Sequence, residues 1–162
     1  MRPRSFRSSL RRVRLRLRWG RRLVLGPGAA VGTGLRLELG PRARLILGAG
    51  AWLGTGTRVE AEGTVTIGAH TLVGARTVLI ATHAISVGDN SVIGDESLLR
   101  ENVRVGNGVR IGPRACLMPG ADVGDGSVVV ARSVVEGPVA PGTTVSGVPA
   151  SPDQTRARSR SR

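Results

Sequence analysis

The strongest constraint on this chain is an aliphatic residue that recurs at every sixth position between Val87 and Ala140. The nine positions are Val87, Ile93, Leu99, Val105, Ile111, Leu117, Val123, Val129 and Val135, and glycine follows five of them. A strict short period is typical of solenoids, in which each unit stacks on its neighbours. A period of six fits neither the roughly 3.6 of a helix nor simple strand alternation. It predicts a short strand and a tight corner, three of which close one triangular coil of a parallel β-helix.

In such a coil the aliphatic side chains point inward and stack as a dry core. The pairs Asp89-Asn90, Asn107-Gly108 and Asp125-Gly126 are predicted to form sharp corners, because these residue types suit turns and tolerate positive φ. The 2% aromatic content fits a narrow aliphatic core. It argues against a surface that stacks bases or sugars.

Residues 25–86 carry the same repeat less regularly. The intervals from Leu47 to Ile67 and from Ile67 to Val87 are equal, and each is two residues longer than three sixes. Two coils are therefore predicted to contain two extra residues each. We place these extra residues near Gly63–Thr66 and His83–Ser86, on one edge of the prism. The repeat then spans about residues 25–147 in six to seven coils, and we take residues 25–150 as the β-helix domain.

The net charge of +13 is concentrated at the two ends of the chain. Residues 1–37 contain 11 arginines and no acidic residue, whereas residues 38–150 contain 9 arginines and 10 acidic residues. Alternation of arginine with apolar residues predicts a strand or arm within residues 1–24. It either caps the open first coil or binds an acidic partner such as an anionic membrane surface. Specific nucleic-acid binding is not expected, because no folded reading motif accompanies the charge.

Residues 151–162 are polar, basic and without period, which predicts a disordered tail. The single cysteine, Cys116, leaves no partner for an internal disulfide and fits a reducing compartment. The sequence contains no apolar run long enough to span a membrane and no evident signal peptide. We therefore expect a cytoplasmic protein, peripheral to a membrane if the basic arm binds lipid.

Residues 111–129, IGPRACLMPGADVGDGSVV, closely resemble the terminal coils of hexapeptide-repeat acyltransferases. Residues 131–135 (ARSVV) followed by 147–150 (GVPA) resemble that family's closing signature, and Ile85–Glu101 resembles a coil of its sugar-acetylating branch. The resemblance covers about three quarters of the chain. It implies an all-β fold, the left-handed parallel β-helix, a triangular prism of hexapeptide repeats.

The resemblance also implies a homotrimer with active sites between neighbouring prisms and acyl-CoA, such as acetyl-CoA, as co-substrate. Acyl-CoA would lie along the coils near Ala131, Arg132, Ser133 and Gly147. A catalytic histidine would act as general base on the acceptor, a role that suits imidazole. No metal is expected, because two histidines without a nearby third ligand make a poor zinc site.

Two features depart from the family pattern. In the sugar-acetylating branch an Arg-Asp pair is followed by the catalytic histidine and a loop, whereas here Leu99–Arg104 reads LRENVR and the hexads continue. Arg104 stands about where that histidine would be. In addition, Ser151-Pro152 follows the closing GVPA, where the family usually has a basic residue that helps to hold CoA.

His70 and His83 are the two histidines of the chain. We interpret His70 as a surface residue on an outer face or corner. The sixes that begin at Leu79 and Leu99 are expected on the same face of successive coils, which would place His83 one rung, about 4.8 Å, from Val103. His83 is therefore the candidate base, and the alternative is a bulge residue hydrogen-bonded to the backbone.

Arg100 and Glu101 match the family's Arg-Asp pair, and Asn102 beside them offers an amide for the substrate or the oxyanion. They are the candidate lining of a substrate groove, although an exposed acid beside an arginine is also a common solvated pair. The sequence thus predicts transfer of an acetyl or similar group from acyl-CoA to a hydroxyl or amine of a sugar-like acceptor. The alternative is a non-catalytic trimeric scaffold or pseudoenzyme.

Overall fold

The computed structural model of the protein describes residues 20–152. Within that range it has 21 β-strands and one short 3₁₀ helix at Gly20–Arg22, with no α-helix. The predictions for residues 1–19 and 153–162 lie outside the described residues, whereas Ser151 and Pro152, which the predicted disordered tail includes, belong to a strand.

The strands follow one another in groups of three, and each group forms one coil. Coil 1 contains β1 (Leu23–Leu25), β2 (Ala30–Val31) and β3 (Arg36–Leu39), and coil 2 contains β4 (Arg44–Leu47), β5 (Trp52–Leu53) and β6 (Arg58–Ala61). Coil 3 contains β7 (Thr64–Ile67), β8 (Leu72–Val73) and β9 (Val78–Ala81), and coil 4 contains β10 (Ala84–Val87), β11 (Val92–Ile93) and β12 (Leu98–Leu99). Coil 5 contains β13 (Val103–Val105), β14 (Arg110–Ile111) and β15 (Cys116–Leu117), and coil 6 contains β16 (Asp122–Val123), β17 (Val128–Val129) and β18 (Val134–Val135). A partial coil 7 contains β19 (Pro138–Val139) and β20 (Thr144–Gly147), and β21 (Ala150–Pro152) ends the described chain.

Each strand pairs with the strand three places further along the chain, so the coils stack into three sheets. Sheet A begins with β1 and has seven strands, sheet B begins with β2 and has eight, and sheet C begins with β3 and has six. The pairs are parallel except for β20 with β21, which form an antiparallel hairpin. Six complete coils and a partial seventh confirm the prediction of a parallel β-helix with six to seven coils.

The core is the column of inward-pointing aliphatic residues that the hexads predict. Alternation along the strands, such as buried Ile85 and Val87 beside exposed Ala84 and Ser86 in β10, directs every second side chain inward. The largest buried side chains are leucine, isoleucine and valine, including Leu53, Leu79 and Leu117. Close packing of aliphatic residues therefore fills the prism.

Three edges join the sheets, and in coil 4 they are Gly88–Ser91 between A and B, Gly94–Ser97 between B and C, and Arg100–Asn102 between C and A. We call them edge AB, edge BC and edge CA. Positive φ at Asn90, Gly108 and Gly126 confirms that the predicted pairs form corners on edge AB. Such residues adopt the left-handed region at low cost.

The chain segment that crosses edge CA contains fewer residues in the later coils of the prism than in the earlier ones. Measured between the register columns of Leu37 on sheet C and Leu47 on sheet A, the chain crosses this edge first from Leu37 to Leu47 and then from Val59 to Ile67. The last crossing, between Val135 and Val139, is the shortest. The register pairs Leu47 with Ile67 and Ile67 with Val87, which confirms the two predicted wide coils. The extra residues lie just before β7 and β10, at Glu62-Gly63 and Thr82-His83.

Candidate functional site

A depression of about 330 Å³ lies on the outer face of sheet A where it meets edge CA. Its lining residues are Ala84, Ser86, Asn102, Val103, Arg104, Gly120 and Asp122. We call it the sheet A depression. The side chains of Ser86, Arg104 and Asp122 are exposed on the three consecutive strands β10, β13 and β16, and their Cα atoms are register partners. Adjacent side chains on this ladder are thus about one strand spacing, roughly 4.8 Å, apart.

Two corner residues complete the wall of the sheet A depression. Asn102 has φ of 57° and Gly120 has φ of 82°, so both turn the chain sharply at edge CA. The Gly120 N–H donates to the Glu101 carbonyl at 2.9 Å, which holds coil 6 on coil 5 at this point. The predicted substrate residue Asn102 is therefore part of the depression, on backbone that its neighbours fix.

The register of His83 differs from the prediction. Val103 pairs with Ile85, not with His83, because the two extra residues, Thr82 and His83, form a bulge before β10. The His83 carbonyl accepts the Thr64 N–H at 2.9 Å, so the bulge is tied to coil 3. The exposed His83 directly precedes the lining residue Ala84, which places its backbone at the rim of the sheet A depression. His70 is exposed at a corner with φ of 55°, as predicted.

Arg100 and Glu101 lie beside the sheet A depression and are not among its lining residues. Both are half-buried, and the Arg100 N–H donates to the Leu117 carbonyl at 3.0 Å. Burial raises the pKa of the Cys116 thiol, and the positive charge of Arg100 opposes that rise. The structure thus brings Asn102 to the depression and leaves Arg100 facing the outer side of sheet C.

A second depression, of about 580 Å³, lies along edge BC. Its lining residues are Arg76, Asp95, Glu96, Pro113, Arg114, Ala131 and Arg132. We call it the edge BC depression. It contains two of the residues predicted to hold acyl-CoA, Ala131 and Arg132.

The charges of the edge BC depression are stacked along successive coils. Glu96 lies between two arginines, with Oε1 2.5 Å from Arg76 Nη2 and Oε2 2.7 Å from Arg114 Nε. Hydrogen bonds from Arg76 and then Arg114 hold the pKa of the Glu96 carboxyl below its usual value. Arg132 continues the stack on the next coil and forms no ion pair with the acidic residues in the described range. The depression thus carries a positively charged arginine that residues 20–152 do not neutralise.

Ser133 and Gly147, the other two residues predicted to hold acyl-CoA, contact each other. The Ser133 side chain is buried, and its hydroxyl accepts the Gly147 N–H at 3.2 Å. This bond fastens the end of β20 to coil 6, next to the antiparallel hairpin. Ser133 and Gly147 therefore lie together where β20 ends, and neither lines the edge BC depression.

A stripe of apolar side chains lies on the outer face of sheet B. Trp52, Leu72 and Val92 occupy adjacent rungs and are 41%, 47% and 41% exposed. An apolar stripe of this kind is typical of a surface that contacts another protein.

Among residues 20–152 there is no group of three or more histidine, cysteine, aspartate or glutamate side chains that could hold a metal ion. The described chain also has no helix long and apolar enough to cross a membrane.

The sequence reasoning missed several polar residues of the two depressions. They are Ser86 and Asp122 on sheet A, and Arg76, Asp95, Glu96 and Arg114 on edge BC. A signal was present, because positions 86, 104 and 122 are each separated by three sixes, and one coil of three sixes returns to the same outward position. A comparison of outward positions that are separated by one coil would have identified the polar residues of both depressions.

Two family descriptions match segments of the chain. Bacterial transferase hexapeptide (six repeats) matches residues 102–137, and the hexapeptide repeat of succinyl-transferase matches residues 64–95. No curated protein matches the chain in sequence. Both matched segments lie inside the described coils.

Solved structures of the same fold cover most of the chain. A hexapeptide transferase family protein from Anaplasma phagocytophilum is 21% identical, with 82% of this chain and 84% of that chain covered and a TM-score of 0.63. A point mutant of AntD, an N-acyltransferase from Bacillus cereus, is 17% identical over 87% of each chain, with a TM-score of 0.75. The hexapeptide-repeat acetyltransferase VCA0836 from Vibrio cholerae is 21% identical over 89% of this chain and 75% of that chain, with a TM-score of 0.62.

The structural likeness covers more than four fifths of the chain and confirms the predicted fold, a left-handed parallel β-helix. The matched repeats include the segment from Asn102 to Gly137, which overlaps the residues on which the sequence resemblance depends. The chain therefore contains, in two segments, hexapeptide repeats of the kind described for bacterial transferases, and it shares its β-helix fold with solved hexapeptide transferases.

Proposed function

We propose that the protein is an acyltransferase that moves an acetyl or similar group from acyl-CoA to a hydroxyl or amine of a sugar-like acceptor. The observation that carries this proposal is the arginine stack of the edge BC depression, beside Ala131 and Arg132. CoA carries several phosphate groups, and the planar guanidinium of arginine binds phosphate through paired charge-assisted hydrogen bonds. Arg132, which has no acidic partner in residues 20–152, is the residue that we expect to bind phosphate.

Two structural neighbours support acyl-CoA as the co-substrate. AntD is in complex with dTDP and Coenzyme A, and VCA0836 is complexed with acetyl-CoA. Acyl-CoA supplies the acyl group as an activated thioester. The residues of this chain would bind its phosphates and position the acceptor.

The sheet A depression is the candidate acceptor site. Ser86, Asn102, Arg104 and Asp122 offer hydrogen-bond donors and acceptors to a hydroxylated molecule. His83 lies one residue before the lining residue Ala84, and its role as general base stays a prediction. Imidazole has an unperturbed pKa near neutrality, which suits removal of a proton from the acceptor.

The positions of the two depressions support a homotrimer. The sheet A depression adjoins edge CA, whereas the other depression lies on edge BC, so the width of sheet C separates them on one prism. A neighbouring copy can bring its edge BC against edge CA, and such a head-to-tail contact closes into a ring when it is repeated by rotation. The apolar stripe of Trp52, Leu72 and Val92 provides surface for contact between copies. A cytoplasmic location stays a prediction.

Isothermal titration of acetyl-CoA into the full-length protein tests the cofactor site. Loss of a charge-assisted hydrogen bond costs roughly 1.5–3 kcal/mol, so Arg132→Ala should weaken binding by roughly 10- to 100-fold. Arg110→Ala is the matched control, because Arg110 is an exposed arginine on sheet B outside the edge BC depression. No binding of acetyl-CoA to the wild type, or equal weakening by both substitutions, would refute this site.

Release of free thiol in the presence of an acceptor panel tests the transfer itself. His83→Ala should lower the rate if His83 is the general base, and an unchanged rate removes that role while leaving the transfer intact. The alternative function, a non-catalytic trimeric scaffold, is favoured by one observation, which is that no histidine of the described chain lines the sheet A depression. Acetyl-CoA binding without any thiol release would select that alternative.

A further inference from the structure

The corner residues of edge BC change type along the prism. The left-handed corner is glycine in coils 1 and 2, at Gly34 and Gly56, with φ of 70° and 72°. In coils 3 to 6 the same corner is charged and has φ between 54° and 62°, and its residues are Arg76, Glu96, Arg114 and Arg132. Their N–H groups each donate to a carbonyl of the preceding coil at 2.8 to 3.0 Å, which keeps the four corners in one column. A residue with a Cβ is strained in this conformation, which glycine adopts freely, so folding alone does not explain four charged corners in succession.

Glu96 divides this column of side chains into two unequal parts. Arg76 donates to Glu96 Oε1 through both Nε and Nη2, at 3.1 and 2.5 Å. The hydrogen bond to Glu96 is also the largest cause of a raised pKa of the Arg76 guanidinium. Arg114 donates to Glu96 Oε2 through Nε alone, at 2.7 Å. One side of the Arg76 guanidinium is therefore occupied, whereas the Nη groups of Arg114 donate to no acceptor within residues 20–152.

The unoccupied donors lie together at the coil 5 and coil 6 end of the edge BC depression. The backbone of Arg132 lies one rung beyond that of Arg114, about 4.8 Å away, and Arg132 pairs with no acidic residue of the described range. The second carboxylate of the depression, Asp95, accepts the Ala75 N–H at 2.8 Å and so caps the backbone. Two neighbouring guanidinium groups with unused N–H donors suit one phosphate group.

We infer that Glu96 directs the ligand phosphate to Arg114 and Arg132 by keeping Arg76 in an ion pair. This inference rests on the proposed binding of acyl-CoA at the edge BC depression and deepens it. The Glu96 carboxylate occupies the donors with which Arg76 would bind a phosphate oxygen, and its negative charge repels an anion from that end of the column. The three arginines thus offer one phosphate subsite, and Glu96 is the positioning residue that determines where on the column it lies.

A double-mutant cycle between positions 76 and 96 tests this inference, with adenosine 3′,5′-bisphosphate as the probe. The measurement is isothermal titration into the full-length protein at one fixed ionic strength. In the wild type, Arg76→Ala should weaken probe binding by less than about threefold, because Glu96 already engages Arg76. In the Glu96→Gln background Arg76 becomes available to the anion, and Arg76→Ala should weaken binding about tenfold or more. Equal effects of Arg76→Ala in the two backgrounds would overturn the inference.

Glu96→Gln by itself tests the sign of the effect. Removal of the negative charge should tighten probe binding by roughly three- to tenfold. Glu60→Gln is the matched control, because Glu60 also pairs with an arginine, Arg58, but lies on sheet C outside the edge BC depression. This control should change the affinity by less than about twofold, since salt screens distant surface charges. Weaker binding in Glu96→Gln, or an equal change in the control, would contradict the role of Glu96.

Steady-state acetyl transfer gives a further readout and separates the inference from the proposed function. Glu96→Gln should lower KM for acetyl-CoA by a larger factor than it changes kcat, because the released arginine adds binding energy in the ground state. Acetyl-CoA binding without any coupling between positions 76 and 96 would refute the inference and leave the proposed function intact. Probe binding that follows the cycle, in a protein that does not bind acetyl-CoA, would support the phosphate subsite and refute the proposed function.

Discussion

The hydroxyl group of Ser91 joins two coils at edge AB and lies inside the prism. Ser91 is fully buried, and its Oγ donates to the Gly106 carbonyl at 2.9 Å and accepts the Val109 N–H at 3.0 Å. Both partners belong to the following coil. Ser91→Ala therefore removes the acceptor of one backbone N–H and the donor to one backbone carbonyl.

The expected cost follows from these two groups. Each buried backbone group that loses its partner costs roughly 1–3 kcal/mol. Part of this cost is recovered if Val109 N–H turns to the Gly106 carbonyl, as Ala51 N–H does to the Gly48 carbonyl at 3.2 Å. We expect the free energy of unfolding to fall by about 2 kcal/mol, which corresponds to a loss of roughly 4–8 °C in Tm for a chain of this length.

Ser97 provides a matched control on edge BC. It is equally buried, at 1% exposed, but its hydroxyl donates one bond of 3.3 Å to the Gly112 carbonyl. That carbonyl also accepts the Ala115 N–H at 3.4 Å, so Ser97→Ala leaves it with a partner. We expect this substitution to cost less than about 1 kcal/mol.

Thermal unfolding followed by circular dichroism, at one fixed protein concentration, measures both variants. A fixed concentration is needed because assembly of copies contributes to the apparent stability. Equal losses in Ser91→Ala and Ser97→Ala, or a larger loss in Ser97→Ala, would refute the reasoning. Either result would mean that the buried hydroxyl on edge AB adds nothing beyond filling space.

Three further predictions concern coil spacing, charge and assembly. A Cβ at Gly54 would lie 2.5 Å from the Gly74 carbonyl carbon, so Gly54→Ala should lower the free energy of unfolding by about 3 kcal/mol or more. Gly126→Ala, with open space around its Cβ but φ of 66°, should cost only about 1–2 kcal/mol, and urea titration compares the two. The two arginines that flank Glu96 lower its carboxyl pKa from 4.5, so its stabilising effect is present above that pH and is lost as the pH falls through the lowered value. The difference in Tm between wild type and Glu96→Gln should therefore shrink between pH 7 and pH 3. Leu72→Glu should shift sedimentation from trimer to monomer if the apolar stripe of sheet B is a contact between copies, and an unchanged trimer would place that contact elsewhere.

Local pattern was sufficient to predict most of the fold. The hexads from Val87 to Val135 predicted an inward residue on each strand from β10 to β18, because a period of six repeats one strand and one corner. The longer, equal intervals between Leu47, Ile67 and Val87 predicted the wide coils, and the register confirms them. The same reasoning was wrong about the neighbour of Val103, because it counted from Leu79 without placing the bulge of Thr82 and His83.

The candidate site was predictable only in part. Asn102, Ala131 and Arg132, which were chosen from the resemblance, are lining residues of the two depressions, and their roles in binding stay predictions. Asp122 and Arg114 were missed, because the residues that lie beside them in the structure, Arg104 and Glu96, are one coil away along the chain. On a solenoid, an outward charged side chain contacts side chains of the adjacent coils. Which side chains these are can be identified only when the strand register is known.

The sequence by itself determined the architecture, since burial of an aliphatic residue at every sixth position is satisfied by a stacked coil and by no helix or flat sheet. The tertiary structure decided which side chains meet. It placed Thr82 and His83 in a bulge, paired Arg76 and Arg114 with Glu96, and left Asp122 beside Arg104 without a partner among the described residues. The physical reason is that two extra residues at an edge leave the hydrophobic column intact while they change which outward side chains become neighbours. The core is therefore determined by the pattern, and the outer faces that bind ligands are determined by the register.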